Sequence, residues 1–235
     1  MSIPAHLFRG HRFPREIISQ VVWLYFRFSV SYREVEEMMA YRGIQLTYET
    51  IREWCDKFGP YFAEELRKRK QVPLGSKWSL DEVFLKINGV PHYLWRAVDQ
   101  HGAVIDILVQ PKRDRFAAER FFRQLLRRTG REPRVIITDK LRSYAAAKRR
   151  VWPHVVHRQG RYLNNRAENS HQPTRRRERQ MKKFKSPEQA QRFLSAFDPI
   201  ATHFRTHRHR ISAARHRVLR EDRFAIWDEV AGLNR

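Results

Sequence analysis

Asp81, Asp139 and Glu168 are the residues of this sequence whose types and settings could build a reaction centre. Asp81 lies in Lys77-Trp78-Ser79-Leu80-Asp81-Glu82-Val83-Phe84-Leu85-Lys86-Ile87, rich in β-branched and aromatic residues, which predicts a strand. On a strand it shares a face with Val83, Leu85 and Ile87. A carboxylate on that apolar face is costly unless something pairs with it, and a metal ion or a catalytic role supplies a reason. The plain alternative is an aspartate at a strand end that simply reaches water. Asp139 closes the apolar run Arg134-Val135-Ile136-Ile137-Thr138. Glu168 falls in the first turn of a helix opened by Asn164-Asn165. Three converging carboxylates suit Mg2+ or Mn2+, hard cations that prefer oxygen ligands. Two such ions about 3.5–4 Å apart clamp the attacking and leaving oxygens of an in-line phosphoryl displacement. Glu82, Asp99 and Asp106 are rival acids in or beside the same strands.

The elements that must position these acids follow from pattern. Asn88-Gly89 ends the first strand with a hairpin signal. Pro91–Val98 and Ala103–Gln110 continue an antiparallel meander. Asp114–Arg128 has helical spacing, with Phe116, Ala117, Phe121 and Leu125 recurring. The run ending at Asp139 suits a strand buried on both faces, as parallel strands are. A short helix at 143–148, a strand at 154–159 and the Glu168 helix complete β-β-β-α-β-α-β-α. That order predicts an α/β mixed sheet with the first and fourth strands side by side.

Ahead of it, Pro14 opens a helix with Ile17, Val21, Leu24 and Phe28 on one stripe. Ser31 and Glu34 form a capping box for a short helix. Gly43 breaks that helix and Thr47 caps the next, which carries Ile51, Trp54, Cys55 and Phe58 on one face. This is the outline of a helix-turn-helix. Tyr48, Thr50 and Arg52 on the outer face of the last helix are its candidate DNA contacts. A small helical bundle used for packing or dimerisation is the rival, and Glu49 and Glu53 on that face favour it. Lys68–Gly75 combines a charge run with Pro and Gly and predicts a linker. The expected domains are therefore 1–70, the arm and helix-turn-helix; 74–200, the sheet domain; and 201–235, a basic helical tail.

Charge says what the chain meets. The net charge is +23, spread as +3 over residues 1–70, +9 over 71–150 and +11 over 151–235. That calls for an anionic partner gripped mainly by the middle and the end of the chain, and nucleic acid fits. No apolar run approaches the ~18 residues of a spanning helix. No signal peptide opens the sequence, and its single cysteine allows no internal disulfide. A cytoplasmic, nucleoid-associated protein is expected.

At these residues the chain resembles the DDE transposases of bacterial insertion sequences, in the group often called "IS six". The carrying stretches are Trp78–Glu82, Tyr93–Asp99, Ile137-Thr138-Asp139-Lys140 and Arg161–Asn169. The resemblance implies an RNase H-like catalytic domain with Asp81, Asp139 and Glu168 as the metal-holding triad and two Mg2+ or Mn2+ ions. It implies that Asp81 touches both ions, with Asp139 and Glu168 holding one each. Only 28 residues separate Asp139 from Glu168, fewer than is usual in the family, which predicts a trimmed loop around Lys148–Pro153.

Arg175, Arg176, Arg177, Arg179, Lys182, Lys183 and Lys185 follow Glu168 against one acid, Glu178. They are candidate phosphate contacts for a scissile strand, which position without reading sequence. Pro173 predicts a kink or interruption there. His203, His207 and His209 invite a zinc reading, but no cysteine or clear further ligand accompanies them, and phosphate contact is preferred. His157 and His171 flank Glu168 and are candidate substrate contacts. The expected protein is a transposase that binds terminal inverted repeats, works as a homodimer or larger synaptic assembly, and cleaves and joins DNA. The rivals are a helix-turn-helix regulator without catalysis and a metal-dependent nuclease of the same fold.

Overall fold

The computed structural model describes residues 5–69, 73–160, 164, 167, 170–181, 184–205 and 211–233. The chain divides into two compact units, Gln71–Leu194 and Met1–Lys70 with Ser195–Arg235.

The first of these is built on a five-stranded sheet. Strands β1 (Lys77–Ile87), β2 (Val90–Asp99) and β3 (Val104–Gln110) form the expected meander. The β1–β2 turn uses Asn88 and Gly89, both at positive φ (48° and 82°), the backbone that a tight hairpin needs. Helix α4 (Arg115–Thr129) follows, with the Asp114 side chain capping it through Ala117 N. Strand β4 (Val135–Thr138) returns beside β1, and β5 (Val156–Gln159) lies outside it. Both β1–β4 and β4–β5 are parallel, so the sheet is mixed, in the order β3-β2-β1-β4-β5. This is the mixed sheet that the element order predicted, with the first and fourth strands side by side, and the RNase H-like arrangement that the resemblance implied.

One sheet face is closed by α4 and by α5 (Arg142–Val151). Trp78, Leu80, Trp95, Ala97, Phe121, Phe122, Tyr144 and Trp152 make that core. Trp152 stacks on Phe122 with ring centroids 4.3 Å apart. The stretch expected as a trimmed loop is thus the end of α5 and a core tryptophan. The other face receives α6 (Gln172–Gln180) through Arg96, whose guanidinium donates to Ser170 O and Thr174 Oγ1. The interruption expected near Pro173 falls at His171, a turn between helical Ser170 and α6, and Pro173 stands in the first turn of α6, where a missing N–H costs nothing. Helix α7 (Pro187–His203) begins in this unit, and the division falls within it.

The second unit holds α1 (Arg15–Arg27), α2 (Tyr32–Ala40), α3 (Tyr48–Lys68) and α8 (Ala213–Ala231). Ser31 and Glu34 form the expected capping box, and Thr47 Oγ1 accepts from Thr50 N at the start of α3. Gly59 lets α3 meet the Phe26 ring of α1, where an added Cβ would lie 2.6 Å from it. Among the described residues after 200, α8 does not trail as a separate tail. Trp227 of α8 packs edge-on against Phe62 of α3 (5.1 Å) and against Phe204 (5.5 Å). Among the described residues no helix is long and apolar enough to cross a membrane.

Candidate functional site

The parallel register of β1 and β4 is what builds the site. Lys77 pairs Val135, Trp78 pairs Ile136 and Ser79 pairs Ile137. Asp81 and Asp139 each stand two residues past the last of these pairs. Glu82 registers their presence. Burial pushes its carboxyl up to about 7, Asp139 and Asp81 add to the rise, and Tyr144 and Arg113 oppose it.

Asp81 is held from several sides. His171 Nε2 lies 3.4 Å from its Oδ2. Asn164 Nδ2 donates to Leu80 O at 2.9 Å and reaches Asp81 Oδ1 at 3.5 Å. Asp139 Oδ1 accepts from Leu141 N at 2.9 Å, an Asx turn that fixes the start of α5. His157 contacts Thr138 Oγ1 at 2.8 Å, one residue away, and burial lowers its pKa. Glu168 lies outside the described residues. Its described neighbours are anchored: Ala167 N donates to Asn164 O, and Ser170 O accepts from Arg96.

Among the described residues no group of three or more His, Cys, Asp or Glu could hold a metal ion. Asp81 and Asp139 are two of the three expected ligands, and both offer only oxygen, the donor set of Mg2+ or Mn2+. The residues present fit a divalent ion.

The rival acids have other work. The Asp99 carboxylate, 2% exposed as a residue, accepts from Gly75 N, His101 N and Ala103 N and ties the β2–β3 turn to the start of β1. Asp106 accepts from Gln124 and from Ile107 N. Glu82 faces the α4–α5 side, where the Tyr144 hydroxyl and Arg113 meet it.

The basic run divides. Arg175, Arg176 and Arg179 are exposed on α6, and Lys185 is exposed beyond it. Lys182 and Lys183 lie outside the described residues. Arg177 corrects the expectation of a phosphate contact: it is 2% exposed, with its guanidinium 5.7 Å from the Phe193 ring centroid. A guanidinium turned into the interior offers its N–H groups to neighbours and not to a strand passing outside. In the other unit, Tyr48 and Arg52 are exposed at the start of α3, and Thr50 Oγ1 is shared with Thr47. Arg33 lies over the Tyr48 ring at 5.1 Å. His203, preferred as a phosphate contact, is turned inward onto Arg223 O at 2.8 Å. His207 and His209 lie outside the described residues. Cys55 is buried, as expected of a core residue.

Arg96, Asn164 and Tyr144 were not singled out from sequence. Arg96 carried a readable signal: a cation between Trp95 and Ala97 on an apolar strand needs a partner. Asn164 and Tyr144 carried none, because their partners are 62 residues or more away in sequence.

Residues 75–207 match a family model described as a DDE domain, that of the IS240-type transposases. The transposase for insertion sequence-like element IS431mec of Staphylococcus aureus is 31% identical over 169 residues, 70% of this chain and 75% of its own length. The transposase for insertion sequence element IS257 in transposon Tn4003, also from Staphylococcus aureus, matches with the same identity and coverage. The catalytic core domain of HTLV-2 integrase, solved in complex with magnesium, aligns over 55% of this chain and 86% of its own, with TM-score 0.41 and 18% identity.

Proposed function

The chain belongs to the DDE-domain transposases of insertion sequences, in the group often called "IS six", and from that premise we propose that it cuts and joins DNA at the ends of such an element. The observation that supports the reading is the parallel β1–β4 pairing, with Asp81 and Asp139 each two residues beyond its last pair, Ser79–Ile137. Asp81, Asp139 and Glu168 would hold Mg2+ or Mn2+. When bound, the ions stabilise the attacking and leaving oxygens at phosphorus and lower the pKa of a water or 3′-hydroxyl.

The protein's own residues do the positioning. His171 and Asn164 limit the rotation of the Asp81 carboxylate. Arg96 ties Ser170 and Thr174, which follow Glu168 in the chain, to β2. Exposed Arg175, Arg176, Arg179 and Lys185 hold the scissile strand by its phosphates, and Lys182 and Lys183 are assigned to the same run. Tyr48, Thr50 and Arg52 at the N-terminus of α3 meet base edges of the terminal inverted repeats. Residues 1–70 form the arm and DNA-reading domain, 74–194 form the catalytic domain, and the end of the chain belongs with the helical unit. Synapsis brings two DNA ends together, so a homodimer is the smallest working unit. The protein acts in the cytoplasm, on nucleoid DNA.

One assay tests this. Purified protein is incubated with labelled terminal-repeat DNA and Mg2+, with Ca2+ as control. Wild type yields joined products. Asp139→Asn loses joining by at least about 100-fold, the several kcal/mol of a lost metal ligand, while DNA binding survives. Cleavage without joining would point to a nuclease. Binding without any product, unchanged by Asp81→Asn, would point to a regulator. A fully active Asp139→Asn variant would remove that residue from the site.

A further inference from the structure

The last lysine of the basic run is fastened to the far end of the strand that carries Asp81. Phe184 makes a parallel bridge with Ile87, where β1 ends, and is buried against Phe193 of α7 with ring centroids 5.9 Å apart. Lys185 comes next. Its carbonyl accepts from Asn88 Nδ2 at 2.6 Å, and its backbone N–H donates to Gln189 Oε1 at 2.7 Å. Both backbone groups of this lysine are thus held by side chains, one from the β1–β2 turn and one from α7. Its own side chain is exposed.

Asn88 has two tasks here. At φ 48° it supplies the left-handed backbone of the turn, which glycine would supply as well. Its amide does what glycine cannot, and ties the turn to a segment 97 residues away. An exposed hydrogen bond adds little to stability, because water competes for both groups. What it does set is the place of Lys185.

That place can be measured along β1. Strand β2 pairs with β1 from Trp78 to Ile87, so every other partner of β1 lies on the opposite edge. Strand β4 uses that edge at Lys77–Ser79, and Phe184 uses it at Ile87. Asp139, just past β4, and Lys185, just past the bridge, therefore follow the same edge. From Asp81 to Ile87 is six residue steps, about 20 Å of strand at ~3.3 Å each. Phosphates of one DNA strand follow each other every ~3.4 Å along the duplex, so the span is about six nucleotides.

We propose that Asn88 is a positioning residue acting through Lys185, whose ammonium it sets on the phosphate about six nucleotides from the bond being cut. The inference rests on the transposase reading and deepens it, by fixing the spacing between the acids and one phosphate contact.

The test uses the full chain with Asn88→Gly, Lys185→Gln and the two together. Glycine keeps the turn and removes only the amide. Terminal-repeat DNA is prepared with one neutral methylphosphonate at each position near the cleaved end in turn. Wild-type binding weakens most when the neutral link lies about five to seven nucleotides from the cut, and that position loses its effect in both single variants. The KM for end DNA rises about fivefold in each, with kcat within about twofold of wild type, because a contact remote from the reacting bond acts on binding. The double variant is no worse than Lys185→Gln, since Asn88 acts only through that lysine.

Substitutions whose effects multiply overturn the proposal. So does an unchanged KM in Asn88→Gly, or a collapse of its kcat, the mark of a damaged β1. A wild-type maximum at another spacing overturns it as well. Wild type that binds the DNA and makes no product defeats the transposase reading instead. The scan, read by binding, then still judges whether Asn88→Gly and Lys185→Gln silence the same phosphate.

Discussion

The Tyr144 hydroxyl donates a 2.7 Å hydrogen bond to Oε2 of Glu82, the residue after Asp81 on β1. The two are fixed by different elements, a helix and a strand, so the bond pins α5 to the strand that carries the first acid. Burial also raises the Tyr144 pKa, keeping the phenol protonated and able to donate. Tyr144→Phe strips a buried carboxylate of that donor. The expected cost is about 1–3 kcal/mol of unfolding free energy. Glu82→Gln keeps an acceptor for the hydroxyl and should cost less. Urea unfolding of the three proteins at one pH decides it; a Tyr144→Phe variant as stable as wild type would show that the bond contributes nothing.

Arg96 is 1% exposed, with Nη1 on Ser170 O and Nη2 on Thr174 Oγ1. Lysine's single ammonium lacks the planar fork whose two nitrogens reach the two acceptors separately. Arg96→Lys should therefore loosen the segment around Glu168 and leave β2 in place. Joining is expected to fall about 10–100-fold, the range for lost supporting contacts around a metal site. Terminal-repeat binding should be unchanged in a gel-shift titration. Loss of binding together with joining would instead make Arg96 a general core residue.

Much of this was legible because local rules and global fold agree. Alternation in β1, the Asn88-Gly89 turn, the Ser31–Glu34 box and the continuous run 134–138 each specify one element, and the structure has all four. The neighbouring acids followed, since a doubly buried run beside β1 leaves Asp139 little other position. Arg177 was not legible. Its helix is cationic at 175, 176, 177 and 179, so no contrast in polarity tells the inner face from the outer. The weak cue was Thr174 and Arg177 three residues apart, both buried. Trp227 reads as core among its charged neighbours and is buried, but the helix it packs on was not legible, because Phe62 lies far off in sequence.

His171, 1% exposed, approaches Asp81 Oδ2 at 3.4 Å. On the proposed reading Asp81 is a metal ligand, and this contact fixes the orientation of its carboxylate. His171→Ala should weaken divalent-ion affinity by about 10–100-fold through that lost orientation. The signature is a rate that recovers as Mg2+ is raised, whereas Asp81→Asn stays inactive at any concentration. A His171→Ala variant with the wild-type Mg2+ dependence would take the residue out of the site.

In the helical unit, acid should be felt through His203. Its Nε2–H donates to Arg223 O, and burial lowers its pKa to about 4, with the Arg223 charge adding to the fall. The unfolded chain then binds a proton near 6.5 that the folded chain refuses until about 4. Between those values the unfolded state holds more protons, so stability is full above about 6.5 and is lost as pH falls toward 4. The loss attributable to this group is on the order of 3 kcal/mol. His203→Gln offers an amide N–H to the same carbonyl without a titrating proton. Urea midpoints from pH 7 to pH 4 should fall less steeply for the variant than for wild type. Parallel curves would mean that another group governs the acid response.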